Sequence, residues 1–236
     1  MSNTDDKELY FGISDNKIYL CFFETGKNIP KDSIVFEIPA KLNNNLNFKI
    51  ILKLLKDNVR KLEKKLGFFI NEGNISIQSN TYENISFSIQ NIFDEKELNE
   101  QVISNLVQSG LQYFNILNKE LSVIHIIIKK YTIDDKVYDF LPNNKKFKKI
   151  ILEIELICLD KSLIKKIKNL FKESKIHINK IVSFDYAKKF LDKELDATMC
   201  IAAKRVVNGI NESEVKIQEF PQRKTSIFNR IFNFFD

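Results

Sequence analysis

The order in which strand-like and helix-like hydrophobic patterns follow each other most constrains the fold of this 236-residue chain. Alternation of apolar and polar residues over strand lengths predicts three strands near the N-terminus, and a helix-length periodic segment and another strand follow. A second succession of strands and helices starts at residue 85. A chain of this size with this order predicts one large or two small α/β domains built on a mixed sheet.

The first half of the chain carries one helix among four strands. The predicted strands are 8–14, 17–23, 33–38 and 75–77. The helix between them has an apolar stripe at i, i+3 and i+4 spacing, formed by Ile50, Ile51, Leu54, Leu55, Asn58, Val59 and Leu62. Gly67 follows this stripe in the position of a C-cap.

The second half repeats the pattern with more helices. Asp94, with Glu97 three residues later, predicts the N-cap of a helix, and Asp160 predicts the N-cap of a lysine-rich one. A last folded helix is predicted from about 192 to 208, with Gly209 as its C-cap. The strands of this half are predicted at 85–89, 121–131, 137–140, 150–159 and 176–184.

Cysteines and histidines are too few and too scattered for most metal or redox chemistry. Cys21, Cys158 and Cys200 are odd in number and far apart, which favours a reduced compartment over a disulfide framework. His125 lies in an isoleucine-rich strand and is interpreted as a satisfied core or interface residue, while His177 has no catalytic neighbour in sequence. We therefore expect no metal site.

The two carboxylate pairs have structural interpretations. Asp134 and Asp135 lie in a predicted turn, and Glu153 and Glu155 lie on one wet face of a strand. With no catalytic constellation elsewhere, the sequence predicts a protein that is not an enzyme and needs no cofactor.

The positive charge of the chain does not indicate nucleic-acid binding by itself. The net charge is +6 and the pI about 9.0, but the basic residues are 33 lysines and only 4 arginines. Nucleic-acid readers depend on arginine for bidentate contacts. A lysine-rich nucleic-acid binder remains an alternative, and no nucleic-acid partner is expected.

The C-terminal residues 223–236 predict a short amphipathic helix behind a polar linker, 210–222. Such a helix is too short to span a bilayer but suits the membrane interface, with help from anionic lipid. A helix docked on the domain or in a partner's groove is the alternative. The predicted membrane-binding residues are Arg223, Lys224, Ile227, Phe228, Arg230, Ile231, Phe232, Phe234 and Phe235.

The order of segments over most of the chain resembles the bacterial cell-division protein FtsA, a member of the actin-like superfamily. The matching segments are Lys130–Asp134, Leu141–Asn143, Ile151–Glu155, Lys166–Lys172, Ile181–Ala187 and Leu191–Leu195. Phe11–Ile18 resembles a degenerate first phosphate loop, and Asp94–Asn115 the first helix of the subdomain called 1C. The resemblance implies an actin-like, ribonuclease-H-like first lobe with an inserted 1C-type subdomain.

The departures from this family are as informative as the matches. The segment 196–209 resembles the small-residue helix that returns to the first lobe near the family's end, so the resemblance implies that the second actin-like lobe is missing. Gly12 stands where the family has Asp, and Ser14 where it has Gly. From these two changes and the missing lobe we expect that the chain does not bind ATP and has no ATPase activity.

The resemblance divides the chain into five parts. They are 1–79, the first part of the lobe; 80–175, the 1C-like subdomain; 176–209, the return to the lobe; 210–222, the linker; and 223–236, the membrane-targeting helix.

The function implied is that of a membrane-associated division adaptor on the cytoplasmic side of the bacterial inner membrane, at the division site. Division proteins would bind through the 1C-like subdomain. Contact with FtsZ, which in the family uses the absent lobe, is left open, as is self-association. The alternative is a scaffold like the pilus-assembly protein PilM, which binds a peptide from a membrane protein.

Overall fold

The first of two sheets is five-stranded and mixed. The computed structural model describes residues 7–38, 48–142, 145–191 and 199–215. The strands of this sheet are β1 (Lys7–Ile13), β2 (Lys17–Glu24), β3 (Asp32–Glu37), β4 (Glu72–Ile77) and β9 (His177–Ser183). Their order is β3-β2-β1-β4-β9. β2 is antiparallel to both of its neighbours, while β1, β4 and β9 are parallel. A mixed sheet with helices is what the resemblance described above implies for the first lobe.

Two helices cover one face of the first sheet. They are α1 (Phe48–Leu66) and α3 (Lys161–Glu173), and both present an apolar stripe to the strands. Phe171 of α3 packs edge-on against Phe11 of β1, with ring centroids 4.7 Å apart. Gly67 ends α1 with φ +76°, a left-handed conformation that glycine adopts without strain.

The other face of the first sheet carries the small helices that follow β9. They are α4 (Phe184–Ala187) and α5 (Met199–Val207). Ala202 and Ala203 are fully buried and allow α5 to lie close to the strands. A Cβ on Gly12 would stand 2.9 Å from the Cβ of Met199, so this glycine permits the close approach.

The second sheet is antiparallel, and its chain segment is inserted between β4 and α3. Its strands are β5 (Glu83–Glu97), β6 (Leu121–Ile133), β7 (Lys136–Tyr138) and β8 (Lys146–Asp160). They lie in the order β5-β8-β6-β7. One face packs against α2 (Glu100–Leu117), where Val107 and Phe114 join Ile128 and Ile154 in a separate core.

The two sheets share a third core. Ile127 of β6 and Ile157 of β8 point away from α2 and pack with Tyr186 of α4 and Val206 of α5. Tyr10 and Phe23 of the first sheet belong to the same cluster. The second sheet is therefore packed against the first lobe.

The fold class expected from the sequence is confirmed: the chain is a mixed α/β protein with a mixed sheet. The predicted subdomain 80–175 covers the second sheet and α2. It also includes α3, whose apolar face lies in the first core. Among the described residues, no helix is long and apolar enough to cross a bilayer.

One predicted helix cap is wrong and another is confirmed. Asp94 lies within β5, which continues to Glu97 through a register irregularity. The N-cap of α2 is Asn99, whose side-chain oxygen accepts the N–H of Val102 at 3.0 Å. Asp160 caps α3 as expected, accepting the N–H of Leu163 at 2.9 Å.

Candidate functional site: an apolar groove and a C-terminal clasp

An apolar groove runs between α2 and the edge strand β5, and we call it the α2–β5 groove. It encloses a cavity of about 430 Å³. β5 pairs only with β8 among the described residues, so its other edge is open. The groove is lined by Ile85, Phe87, Ile89, Gly110, Tyr113, Phe114 and Leu117, with a few polar neighbours.

Gly110 sets the depth of this groove. A Cβ at this position would stand 3.0 Å from Cε2 of Phe87 and closer still to Cδ1 of Ile89. Glycine lowers helix propensity by about 1 kcal/mol relative to alanine, so its place in mid-helix has a packing reason. It lets α2 lie directly against the apolar side chains of β5.

The surface of the groove is apolar and uncharged. Tyr113 is 72% exposed and Leu117 is 81% exposed, although both sit on a helix that packs against a sheet. From Asn84 to Phe93, β5 carries no charged residue. Edge strands of stable proteins are usually protected by lysine, proline or a bulge. This stretch of β5 is therefore a site where another extended chain can pair.

The charge around the groove differs from that of the whole chain. α2 carries only one charged residue, Glu100, and residues 83–118 contain five acidic residues and one lysine. The whole chain has a net charge of +6. This surface therefore favours an apolar ligand with neutral or basic flanks.

Residues 211–215 form a second feature, which we call the C-terminal clasp. They lie in the predicted linker 210–222, but the structure holds them against β6. The N–H of Ile128 donates to the carbonyl of Ser213, and the N–H of Val215 donates to the carbonyl of Ile126, both at 2.9 Å. The clasp thus extends the second sheet.

The side chain of Glu214 is the centre of the clasp. It is 6% exposed and accepts hydrogen bonds from three directions. Its carboxylate lies 3.0 Å from Nδ1 of His125, 3.1 Å from Nζ of Lys180 and 3.0 Å from the hydroxyl of Tyr186. His125 belongs to the second sheet and Lys180 to the first, so one carboxylate joins both sheets.

The surroundings of His125 fix its tautomer. The backbone N–H of Ser183 donates to Nε2 at 2.9 Å, so Nε2 carries no proton and Nδ1 donates to Glu214. Burial lowers the pKa of His125 and outweighs the opposing effect of Glu214. Burial alone would raise the pKa of Glu214, but hydrogen bonds from His125 and Lys180 bring it below its usual value.

The structure places the other chemistry-bearing residues in structural roles. Asp134 accepts the N–H groups of Lys148 and Lys149, which lower the pKa of its carboxyl group. Glu155 pairs with Lys129 at 2.6 Å. His125 is confirmed as a satisfied core residue. Within the described ranges, no three His, Cys, Asp or Glu side chains are grouped to hold a metal ion.

The three cysteines are free and buried. Burial raises the pKa of Cys158 to about 12 and also raises that of Cys200. A thiol in this state is a poor nucleophile.

The predicted membrane-binding residues, Arg223 to Phe235, lie outside the described residues. Sequence reasoning missed the groove and the clasp. Gly110 in mid-helix and the uncharged stretch of β5 were the available signals for the groove. No sequence signal pointed to the clasp, because a short segment without hydrophobic periodicity has the same appearance as a linker.

No protein-family model and no curated protein matches the chain. Among solved structures, the PilM–PilN type IV pilus biogenesis complex is similar over 76% of this chain and 48% of that chain, with 9% identity and a TM-score of 0.46. The cytoplasmic domain of EpsL, an inner membrane component of the type II secretion system of Vibrio cholerae, is similar over 77% and 58%, with 7% identity and a TM-score of 0.38.

A third similar structure is a Bacteroides thetaiotaomicron protein of unknown function with an actin-like ATPase fold. The match covers 80% of this chain and 58% of the Bacteroides chain, with 17% identity and a TM-score of 0.28. The chain thus spans about half the length of the first structure and 58% of the other two. Because the TM-scores and identities are low, the fold assignment rests on the strand order. The resemblance to FtsA stays a prediction.

Proposed function

We propose that this chain is a non-enzymatic, membrane-associated adaptor that binds an extended cytoplasmic segment of a membrane protein along β5. The observation that carries the proposal is the open, uncharged edge of β5 beside the apolar α2–β5 groove. Peptides that add a strand to such an edge gain affinity from main-chain hydrogen bonds. Alternate side chains of the peptide would enter the groove and cover Phe87 and Leu117.

The charge of the groove region selects the class of partner. Cytoplasmic segments next to membrane-spanning helices are enriched in lysine and arginine. Five acidic residues and one lysine within 83–118 complement such a segment. An apolar strand with basic flanks is therefore the ligand that fits this surface.

The chain's own membrane attachment would come from residues 223–236. Vesicle co-sedimentation with anionic lipid tests this, comparing the intact chain with a Phe232→Glu, Phe235→Glu variant. The matched control is Asn229→Glu, Asn233→Glu, which adds the same charge to the polar side of the predicted helix. We expect only the phenylalanine variant to stay in the supernatant, and equal binding by both variants would contradict the proposal.

The absence of enzymatic activity is part of the proposal. Both ring nitrogens of His125 are engaged. If the resemblance of Phe11–Ile18 to a phosphate loop holds, Gly12 and Ser14 stand where FtsA has Asp and Gly. Isothermal titration with ATP and magnesium should show no binding heat. Micromolar affinity would refute this part.

Site-specific photo-crosslinking in cells tests the groove. A photoreactive residue at Tyr113, within the groove, is compared with one at Phe140, which is 68% exposed and lies beyond β7. We expect the Tyr113 probe alone to crosslink to the cytoplasmic segment of a membrane protein, and Leu117→Glu to abolish the product. Equal yield from both probes would exclude a specific groove.

The identity of the crosslinked protein decides the biological process. We propose cell division, on the resemblance to FtsA, and a tagged copy should then localise to the septum. A pilus-assembly protein as the crosslinked partner, without septal localisation, would favour the PilM-like alternative.

A further inference from the structure

Two helix-to-strand turns meet at one end of the first sheet. Residues 67–71 join α1 to β4, and residues 174–176 join α3 to β9. Since β4 and β9 are parallel and begin with Glu72 opposite His177, the turns lie side by side. The N–H of His177 donates to the carbonyl of Asn71 at 2.7 Å. We call this surface the basal end; it comprises Lys7, residues 63–72 and residues 168–177.

Phe69 protrudes from the basal end. Its side chain is 87% exposed, the highest value among the exposed large apolar residues of the described ranges. The turn is nevertheless fixed on both sides. The N–H of Ile70 donates to the carboxylate of Glu63 at 2.9 Å, and the ring of Phe68 packs 5.6 Å from that of Phe22. Single exposed apolar residues are common on protein surfaces, so the inference depends on the charge of the surface around Phe69 as well as on its ring.

The basal end is rich in lysine. Lys7 lines the same cavity as Phe69, together with Glu8 and Glu72. Six lysines lie at the basal end against three glutamates, and two of those carboxylates are engaged, Glu63 by Ile70 and Glu72 by Asn179. Lys65 also pairs with Asp32 at 2.7 Å. The helix macrodipole favours lysine at a helix C-terminus, which accounts for part of this charge but not for the exposed ring. The lysines are Lys7, Lys64, Lys65, Lys168, Lys172 and Lys175.

We propose that the basal end rests on the surface of an anionic membrane, with Phe69 inserted among the headgroups. An exposed aromatic ring on a surface with more lysines than carboxylates favours the interface of an anionic bilayer. Lysines are point charges that suit a diffuse layer of phosphates, whereas specific recognition of nucleic acid favours the arginine fork. The inference extends the proposed membrane association to the folded part of the chain, but it depends on different residues.

The predicted tail and the basal end can contact the same membrane. The clasp touches Lys180 at the middle of β9, which is about 10 Å from the start of that strand. Residues 216–222 can span at most about 24 Å. Two weak attachments on one chain bind more tightly than either alone. They also fix the orientation of the domain on the membrane, which a tail alone does not.

Tryptophan fluorescence tests the inference directly, because the chain contains no tryptophan. The full chain carrying Phe69→Trp is mixed with vesicles of phosphatidylcholine, with and without phosphatidylglycerol. Phe140→Trp is the matched control, since Phe140 is also exposed but lies away from the basal end. We expect a blue shift and quenching by brominated lipid for Phe69→Trp on anionic vesicles, and neither for Phe140→Trp.

Co-sedimentation separates this inference from the proposed function. Phe69→Gln should lower the partition coefficient on anionic vesicles about tenfold, and Lys172→Gln with Lys175→Gln should lower it further. If the chain sediments with vesicles but Phe69→Trp shows no shift, the tail alone attaches the protein and the inference is overturned. If no version sediments, both the inference and the proposed membrane association are refuted.

Discussion

Glu214 accepts a hydrogen bond from Nδ1 of His125 at 3.0 Å, although the two residues are 89 positions apart. The same carboxylate receives Nζ of Lys180 from the first sheet. One buried side chain near the end of the described chain therefore joins the first sheet, the second sheet and α4. This arrangement makes the clasp part of the folded domain, although its sequence has the composition of a linker.

Replacing Glu214 should destabilise the whole domain. Glu214→Ala leaves the Tyr186 hydroxyl, Nδ1 of His125 and Nζ of Lys180 without their shared acceptor. Loss of such a partner at a buried site costs about 3 kcal/mol of the free energy of unfolding. Urea denaturation measures this, with Glu212→Ala, an exposed neighbour, as the control. Equal midpoints for the two variants would show that the clasp contributes nothing.

Acid should weaken the clasp in two steps. Burial lowers the pKa of His125 in the folded state, so the unfolded chain binds more protons once the pH falls below about 6.5. Stability is therefore full above that pH and declines below it. Glu214, whose folded pKa is also lowered, adds a second loss below about 4.3.

Thermal unfolding as a function of pH checks this dependence. As the pH falls below about 6.5, the melting temperature should decrease less in His125→Gln than in wild type. His177→Gln, which removes an exposed histidine, is measured alongside as the control substitution. Parallel curves for wild type and His125→Gln would exclude His125 as the source.

Asn99 and Asp94 both precede α2, but replacing them should affect the stability of the protein differently. Asn99→Ala removes the side-chain acceptor of the Val102 N–H and should cost about 1 kcal/mol of stability. Asp94→Ala, in an exposed part of β5, should change it by less than about 0.5 kcal/mol. Denaturant titration of both variants measures these changes. A larger loss of stability in Asp94→Ala than in Asn99→Ala would indicate that Asp94 is the N-cap.

Gly12 should tolerate no side chain. In Gly12→Ala the new Cβ would stand 2.9 Å from the Cβ of Met199 and 3.2 Å from that of Tyr19. Neither atom is the mobile end of a side chain, so α5 must move away from β1, at a cost of about 1–3 kcal/mol. Ser86→Ala, on the exposed face of β5, is the control in the same unfolding assay. Wild-type stability of Gly12→Ala would show that α5 adapts without cost.

Local signals predicted the elements of this fold well. Asp160 was found because an aspartate directly before an apolar stripe at helical spacing has few other roles. Asp94 satisfied the same rule but lies in a strand, because β5 continues past Ile92 through an irregular register before Asn99 starts α2. A capping pattern spans only four residues, and pairing with β8 overrides it.

The candidate sites could not be predicted in the same way. The edge position of β5 depends on the strand order, which no periodicity encodes. Phe87 and Leu117 form one groove only because Gly110 lets α2 lie against β5. The role of Glu214 depends on partners 34 and 89 positions away. Phe69 is an ordinary residue in sequence, and only its exposure on an ordered turn distinguishes it.

Burial of Cys21, Cys158 and Cys200 gives the chain an unreactive thiol background. A maleimide dye should therefore label a single cysteine introduced on the surface and leave the native ones unmodified. Energy transfer to a dye in the bilayer would then report the height of each labelled position. Labels at positions 69 and 113 would measure how far the basal end and the α2–β5 groove stand from the lipid, with wild type as the unlabelled blank.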